Sequence, residues 1–430
     1  MRWWFFVATL AGCRSMLGLD DPTPLIDAPI PDAAEATCAT AAQGTALCVG
    51  RTRRVCGADH DFDPSLDETC DFTCSLGQCV TASNFTTEFV QACSSMAPAL
   101  TPPLGATVTI GADKITCSPT CDGNTITSIT ATNGLVCVSK LDLDGSVMVK
   151  FATGQGSAMK PTSILVDDTA WISTTIPYAG GDATASIQGM GGPGGYDGAP
   201  LAQSAGNKGG GPCGGAGGTT SGPTLGDDWV GGGGGGGGNQ TVGGIGGKGE
   251  CRLGNHNSDG GNAGAVCSTD ELVPLVGGSG GGGGGDASSN GQFGYPGGGG
   301  GGALQISSRI SITLTGSIDA RGGKGYGTNT IDGGGGGGAG GAILLEAPTV
   351  TVNGPISVDG GQGGPSGSGP GGIGATLHAI AASGLNFVGV GQGGSGGGGG
   401  GGRIRIHSSA PQCTSQMSPA SACTTDTLGN

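Results

Sequence analysis

Short runs of alternating apolar and polar residues recur along the second half of the chain. The stretch 303–318 holds three such runs, and the first two are separated by the polar tripeptide Ser-Ser-Arg. Side chains on a β-strand point alternately to opposite faces, so each run predicts a short strand with one buried face. Runs this short form no stable sheet alone and need partners from elsewhere in the chain.

Those partners are further copies of the same pattern. The segment 301–323 aligns with 340–361. A third copy starts with 401–409, where Ile404 and Ile406 take the places of Leu304 and Ile306. The matched pairs are Ala303 and Ala342, Leu304 and Ile343, Ile306 and Leu345, Ile312 and Val350, Leu314 and Val352, Gly316 and Gly354, Ile318 and Ile356, and Ala320 and Val358. We match a diverged earlier copy, 163–175, by setting its Ile164, Val166 and Ile172 against Leu304, Ile306 and Ile312.

Repeated units of this kind stack so that equivalent apolar side chains share one core. Three short strands per copy correspond to one coil of a parallel β-helix. We therefore predict an all-β fold, a parallel β-helix-like solenoid whose N-terminal part is 105–152. The alternative is an antiparallel β-sandwich beside a polyglycine-II bundle, because alternation with period two is common to both.

Glycine fills the spaces between the strand copies, with 100 glycines in 430 residues, most of them between 180 and 402. The region as a whole keeps no strict triplet period and the chain has only 23 prolines, which excludes collagen. Long tracts such as 231–238 either lack fixed order or pack as polyglycine-II, extended threefold helices that approach closely because glycine has no side chain. We predict polyglycine-rich excursions on one edge of the solenoid.

Six cysteines fall within 38–80, a segment with too few large apolar side chains to be stable through burial alone. Their irregular spacing around His60 does not match the paired motifs of zinc sites. We therefore predict a disulfide-rich module whose connectivity stays open. The predicted bonded cysteines are Cys38, Cys48, Cys56, Cys70, Cys74 and Cys79, together with Cys413 and Cys423 in the C-terminal tail.

The chain begins with Arg2, a short apolar run and the tetrapeptide Leu-Ala-Gly-Cys, which ends at Cys13. This start resembles the lipobox of bacterial lipoproteins. The resemblance implies a signal peptide at 1–12 and acylation of Cys13, with membrane lipid as the partner. The remainder of 13–37, rich in Pro, Asp and Ala, is then a tether, and Arg14 after the cysteine favours the outer membrane.

Taken together, the lipobox, tether, cysteine module and strand–polyglycine repeats resemble glycine-rich surface lipoproteins of myxobacterial-type genomes. The resemblance implies a place at the bacterial outer membrane or cell surface and a non-enzymatic structural, adhesive or coat role. It suggests surface polysaccharide or other cell-envelope proteins as partners.

The remaining predicted boundaries are 81–188 for an N-terminal β region, 189–409 for the glycine-rich repeats and 410–430 for the tail.

The net charge and the sequence motifs limit the functions that this chain can have. The net charge of −15 and the lack of a basic patch with interleaved aromatics exclude nucleic acid binding. No motif predicts a catalytic residue, a metal ligand or a cofactor. Asp319 and Asp359 recur near the same point of the repeat, and Asp142 lies close to Asp144. A polysaccharide-active or polysaccharide-binding β-helix protein is the alternative function, but we interpret these carboxylates as turn residues.

Overall fold

The structure is a computed structural model. It describes residues 38–427, except for 50, 76, 94–96, 112, 132–133, 152–159, 222–228, 252–256, 288–292, 329–330, 368, 377–379, 387–391, 410, 412, 415 and 420–422. The predicted signal peptide, Cys13 and the tether lie outside the described residues. Within them the chain is nearly all β, with α1 (Thr87–Ala92) as its one α-helix.

A small disulfide-rich module opens the described part of the chain. Its strands are β1 (Ala46–Val49), β2 (Thr52–Val55), β3 (Glu68–Thr69), β4 (Thr73–Ser75) and β5 (Gln78–Val80). Strands β1 to β3 form an antiparallel sheet, and β4 and β5 form a hairpin. The disulfides are Cys38–Cys56, Cys48–Cys74 and Cys70–Cys79, so all six cysteines predicted to be bonded here are paired.

Nine strands link this module to the glycine-rich repeats. They are β6 (Thr107–Ile110), β7 (Lys114–Ser118), β8 (Ser128–Thr130), β9 (Leu135–Val138), β10 (Leu141–Leu143), β11 (Met148–Phe151), β12 (Thr162–Val166), β13 (Thr169–Ile172) and β14 (Thr175–Pro177). Strands β6, β7 and β8 pair antiparallel, whereas β11 pairs parallel to β6. The segment 105–152 is therefore not parallel throughout, because the short connection between β6 and β7 allows only an antiparallel pair.

The repeats and the C-terminal tail contribute the remaining strands. They are β15 (Gly249–Glu250), β16 (Asn257–Ser258), β17 (Ala303–Ser308), β18 (Ser311–Leu314), β19 (Ser317–Asp319), β20 (Ala342–Glu346), β21 (Thr349–Val352), β22 (Ile356–Ser357), β23 (Arg403–Ser408), β24 (Met417–Ser418) and β25 (Cys423–Thr427). Strands β15 and β16 form a separate antiparallel pair.

Successive copies line up in three parallel sheets. The strand orders are β9-β12-β17-β20-β23-β25, then β10-β13-β18-β21, then β14-β19-β22-β24. In the copies 163–175, 301–323 and 340–361, the first strand joins the first sheet, the second strand joins the second sheet and the third strand joins the third. After 401, β23 joins the first sheet and β24 joins the third. Because all these pairs are parallel, the predicted alternative of an antiparallel β-sandwich is wrong.

The register of the later copies is the predicted one. Leu304 pairs with Ile343, and Ile343 pairs with Ile404. The match for the earlier copy is wrong by two residues, since Ile164 pairs with Ile306 instead of Leu304. A shift of two residues leaves the same side chains facing the core, so alternation alone cannot detect it.

The inward aliphatic side chains of these sheets form one buried core. Leu304, Ile343 and Ile404 from the first sheet pack in it with Leu314 from the second and Ile318 from the third. Fully burying one such side chain contributes roughly 1.5–3 kcal/mol, so the stacked copies stabilise one another. Among the residues that the structure describes, no helix has the length and apolarity needed to cross a membrane.

Five glycine-rich segments, here called the inner tracts, pack side by side. They are 231–238, 278–286, 296–302, 333–341 and 394–402, and every residue in them is buried. The hydrogen bonds of the first tract repeat every third residue: the N–H groups of Gly231, Gly234 and Gly237 donate to the carbonyls of Ile331, Gly334 and Gly337. This period of three is that of an extended threefold helix. Three of the tracts run directly into β17, β20 and β23.

Close backbone approach explains why these tracts are glycine. The N–H of Gly236 donates to the carbonyl of Gly244 at 2.8 Å, and a Cβ at Gly236 would overlap the carbonyl of Gly398. Glycine loses more conformational entropy on ordering than any other residue. The hydrogen bonds from three neighbouring segments to each inner tract oppose that loss.

Candidate functional site

A second set of segments, here called the outer tracts, surrounds the inner ones. They are 242–248, 259–265, 321–324, 359–364 and 370–376. Their glycines bond to the inner tracts; for example, Gly361 N donates to Gly338 O at 2.8 Å, and Gly399 N donates to Gly361 O at 2.8 Å. The outer tracts therefore form part of the surface of the bundle, together with the segment 189–219, which also bonds to inner tracts.

Every third residue of an outer tract turns its side chain towards solvent. Val242, Ile245 and Lys248 are exposed, while the glycines between them are buried. A helix with three residues per turn places such positions on one side, about 9 Å apart. The sequence signal is a local Gly-Gly-X triplet, as in Val-Gly-Gly-Ile-Gly-Gly-Lys. The triplet is confined to these short segments, and the glycine region as a whole has no strict period of three.

One candidate site is a groove of 790 Å³ between three outer tracts and the segment after β14. The polar side chains that line it are Asp182, Arg321, Lys324, Asp359, Gln362 and Thr376. Glycines form much of its walls, and its lining contains no aromatic ring. Such a groove can bind a polar chain through hydrogen bonds and charge, but it has no aromatic platform for stacking a sugar ring.

A second groove, of 580 Å³, lies elsewhere on the same bundle. Thr219, Lys248, Asp259 and Asn262 are among its polar lining residues. Lys248 Nζ lies 2.8 Å from Asp259 Oδ1, and this contact raises the pKa of Lys248. Both grooves thus combine glycine walls with opposite charges. They are a consequence of how adjacent outer tracts pack.

The carboxylates that recur in the repeat do not form an acid/base pair. Asp319 binds the guanidinium of Arg321 through contacts of 2.8 and 2.7 Å. Asp359 accepts hydrogen bonds from Ser418 Oγ at 2.6 Å and Ser357 Oγ at 2.9 Å. The two aspartates are not register partners, since Asp319 pairs with Ser357. Asp319 Oδ1 also accepts a hydrogen bond from Arg321 N at 3.2 Å, as a turn residue does, whereas Asp359 is held by two serine side chains.

Asp142 and Asp144 have the same local character. Asp142 pairs with Lys140 at 3.4 Å. Asp144 Oδ1 accepts a hydrogen bond from Ser146 N at 2.9 Å, and this bond lowers the pKa of Asp144. An aspartate that bonds the backbone two residues ahead is a common means of closing a turn. Asp144 therefore stabilises the connection between β10 and β11, whereas Asp142 pairs with a residue just before β10.

A buried polar cluster lies on the outward face of the first sheet. Glu346, only 1% exposed, accepts hydrogen bonds from Ser83 Oγ at 2.5 Å, from Gln305 Nε2 at 2.7 Å and from Ser307 Oγ at 2.7 Å. His407 Nδ1 lies 3.4 Å from the same carboxylate. Parallel register makes this possible, because Ser307, Glu346 and His407 are paired positions on β17, β20 and β23.

The carboxyl of Glu346 favours its charged form. Burial acts to raise its pKa, but hydrogen bonds from His407, Ser83 and Ser307 outweigh burial and hold the pKa below its usual range. The cluster is thus a satisfied buried anion. It joins the segment after the cysteine module to the repeat sheet.

This cluster contains serine, histidine and glutamate but not the geometry of a nucleophilic triad. Ser83 Oγ bonds to the carboxylate, whereas an activated serine needs a histidine nitrogen as its partner. His407 Nε2 is buried with no hydrogen-bond partner. Among the described residues, no group of three or more His, Cys, Asp or Glu side chains could hold a metal ion.

A second buried charge anchors the helix. Arg309 contacts the carboxylate of Asp167 and donates to the carbonyls of Val90 at 2.6 Å and Cys93 at 3.0 Å. These carbonyls belong to the C-terminal turn of α1 and its cap, where a cation is favoured. The disulfide Cys93–Cys137 ties the same helix end to β9. We did not predict this anchor, since its residues are far apart in the chain.

The remaining disulfides, together with those already described, indicate the cellular compartment of the protein. Cys413–Cys423 closes the C-terminal tail, and Cys117–Cys121 adds a bridge that we did not predict. Multiple disulfides persist in oxidising compartments, so they indicate an extracytoplasmic protein. Cys13, the predicted lipidation site, lies outside the described residues.

A comparison of the chain with protein family models, curated proteins and solved structures finds no match.

Proposed function

We propose that this chain is a lipid-anchored structural or adhesive protein of the bacterial cell surface, with Cys13 as its acylated residue. The observation that carries the proposal is the division of the glycine segments into inner and outer tracts. The inner tracts are buried and bonded through backbone groups, and the outer tracts expose one side chain in three. The bundle thus offers a repetitive surface for contact.

In this proposal the three parallel sheets are the faces of a β-helix-like solenoid, and the glycine tracts form a polyglycine-II bundle on one edge. The parallel register from β12 through β23 supports the solenoid. The period of three in the hydrogen bonds supports the polyglycine-II conformation. A rigid support of this kind would hold the outer side chains at fixed spacings, as an adhesive or coat material requires.

The resemblance of the chain start to a lipobox supports the anchor, and the disulfides support the extracytoplasmic location. An acylated Cys13 would attach the protein to the outer membrane, with the tether separating the folded part from the lipid. Surface polysaccharide or other envelope proteins would then be the partners of the exposed outer tracts.

The test compares the full chain with its Cys13→Ala variant in a Gram-negative host supplied with an alkyne-bearing palmitate analogue. We expect label and membrane sedimentation for the unaltered chain, and loss of both for the variant. Lys248 and Lys324 should react with a membrane-impermeant amine reagent on intact cells. A variant that still sediments with membranes, or lysines that react only after lysis, would contradict the proposal.

The groove of 790 Å³ favours a second candidate function, the binding of a polysaccharide without cleavage. Its charged and amide side chains lie on neighbouring outer tracts, so one extended chain could contact several of them. Binding of a panel of acidic and neutral glycans should weaken at least tenfold in an Arg321→Ala, Lys324→Ala variant. A matched Lys248→Ala variant in the other groove should bind as before. Equal binding by all three proteins would exclude this groove.

A further inference from the structure

Three cysteines of the described chain lie outside the six disulfides: Cys213, Cys251 and Cys267. Cys213 and Cys267 are far apart in sequence but meet at the end of the inner tract 231–238. Gly238 N donates to Cys213 O at 2.9 Å, and Cys267 N donates to Asn239 O at 2.9 Å. Two consecutive residues of one segment therefore hold both cysteine backbones.

Both cysteines contact Ser279, a non-glycine residue within an inner tract and fully buried, Cys213 through its backbone N–H and Cys267 through its sulfur. Ser279 Oγ accepts a hydrogen bond from Cys213 N at 3.2 Å and lies 4.0 Å from Cys267 Sγ. After burial, the neighbouring Cys213 side chain is what raises the pKa of the Cys267 thiol, so the two side chains lie near each other. Cys251, by contrast, has its sulfur 3.5 Å from Ser221 Oγ.

We propose that Cys213 and Cys267 form a seventh disulfide in the mature protein. Both residues contact Ser279, and backbone hydrogen bonds hold them at the consecutive residues Gly238 and Asn239, which brings the two sulfurs to the same place, as a disulfide requires. The extracytoplasmic location indicated by the other disulfides provides the oxidising conditions.

The oxidation is a thiol–disulfide exchange with a disulfide of an oxidoreductase or of a small molecule. The half-buried Cys267 is the more accessible sulfur, so its thiolate attacks the external disulfide, forms a mixed disulfide and expels one thiolate. The thiolate of Cys213 then attacks the sulfur of Cys267 and displaces the second. Two protein thiols become one disulfide, the external disulfide becomes two thiols, and the two protons pass to the released thiolates.

Burial and the neighbouring Cys213 raise the pKa of Cys267 to about 12, so its thiolate is scarce at neutral pH. The uncatalysed exchange should therefore be slow at neutral pH and accelerate with rising pH. The new bond would close the loop that holds the inner tract 231–238 and the outer tracts 242–248 and 259–265. It would fix part of the bundle covalently.

Trypsin separates the three cysteines cleanly, because cleavage at Lys208, Lys248, Arg252 and Arg309 gives three peptides with one cysteine each. Cys213 falls in 209–248, Cys251 in 249–252 and Cys267 in 253–309. The experiment uses the full chain carrying Cys13→Ala, secreted into an oxidising compartment. It is incubated with oxidised glutathione and a thiol–disulfide oxidoreductase, then denatured, alkylated without reductant and digested.

We expect mass spectrometry to find 209–248 joined to 253–309, and 249–252 alkylated. In the Cys213→Ser variant, 253–309 should become alkylated or glutathionylated, while the Cys251→Ser control should keep the link. Alkylation of all three peptides, a stable glutathione adduct on Cys267 or a link involving 249–252 would overturn the proposal. Limited proteolysis between the two cysteines should be at least threefold faster in Cys213→Ser than in the Cys251→Ser control.

Discussion

Ser83 Oγ donates a hydrogen bond to Glu346 Oε1 at 2.5 Å, although 263 residues separate the two in sequence. Ser83 follows the cysteine module, and Glu346 ends the first strand of a repeat. The contact therefore joins the two parts of the molecule through a buried charge. It makes the stability of the repeat sheet depend on the segment that covers its outward face.

Removing this charge should destabilise the fold. Replacing Glu346 with Gln keeps the shape but forces an amide into a site built from donors, and hydrogen bonds to charged groups contribute about 1.5–3 kcal/mol each. We expect the free energy of unfolding in urea to fall by about 3 kcal/mol. The control Glu88→Gln, on the exposed face of α1, should change it by less than about 0.5 kcal/mol. Equal stability of the two variants would show that the cluster is not stabilising.

The same residue predicts a dependence of stability on pH. The pKa of Glu346 is held below its usual range in the folded protein, so its contribution is fully present above the unfolded pKa, about 4.3. As pH falls through the lower folded pKa, that contribution is lost. The stability difference between the unaltered chain and Glu346→Gln should therefore shrink on acidification. A difference that grows towards low pH would mean that the folded carboxyl is neutral.

The inner tracts should not tolerate a side chain. In Gly236→Ala the new methyl group would overlap the carbonyl of Gly398, and the neighbouring backbone has little room to move. We expect a loss of about 3 kcal/mol, at the upper end of overpacking effects, measured by thermal or urea unfolding. The matched change Gln362→Ala on an outer tract should have little effect on stability. If Gly236→Ala is as stable as Gln362→Ala, the inner packing is looser than described.

The anchor of α1 should respond strongly to loss of its charge. Arg309→Met keeps most of the side-chain length but removes the donor to the carbonyls of Val90 and Cys93, and it leaves Asp167 with the longer 3.8 Å contact to Arg51. Breaking one partner of a buried pair costs about 3–5 kcal/mol. Arg321→Ala, which removes an exposed ion pair with Asp319, should cost less than about 1 kcal/mol. Hydrogen exchange of α1 should accelerate in Arg309→Met and stay unchanged in Arg321→Ala.

The strand pattern was predictable because burial imposes local periodicity on the sequence. Alternation located β17 to β22, and the spacing of equivalent residues gave their register, as in the pair Ile312 and Val350. The earlier copy was misaligned by two residues because Ser308 occupies the register position opposite Val166, so the apolar pattern there is interrupted. Matching apolar positions therefore gave the correct register only where both copies keep the alternating pattern.

Fewer features of the candidate site than of the fold could be predicted from the sequence. The turn role of Asp144 follows from its neighbours in sequence, and the bonded cysteines of the N-terminal module follow from their density. The cluster at Glu346 and the anchor at Arg309 left no local signal, because their partners come from distant segments. A single buried Glu or Arg in a strand pattern looks like an interruption until its partners are known.

The sequence by itself determined the period of the strands, the repeat and its register in the later copies, since these depend on which side chains avoid water along one segment. Only the tertiary structure decided which glycine tracts are inner and which are outer, because a glycine tract carries no side chain that distinguishes its neighbours. It also decided the partners of Glu346, Arg309 and Cys213. Those contacts exist only once separate segments have been brought together, so no local pattern encodes them.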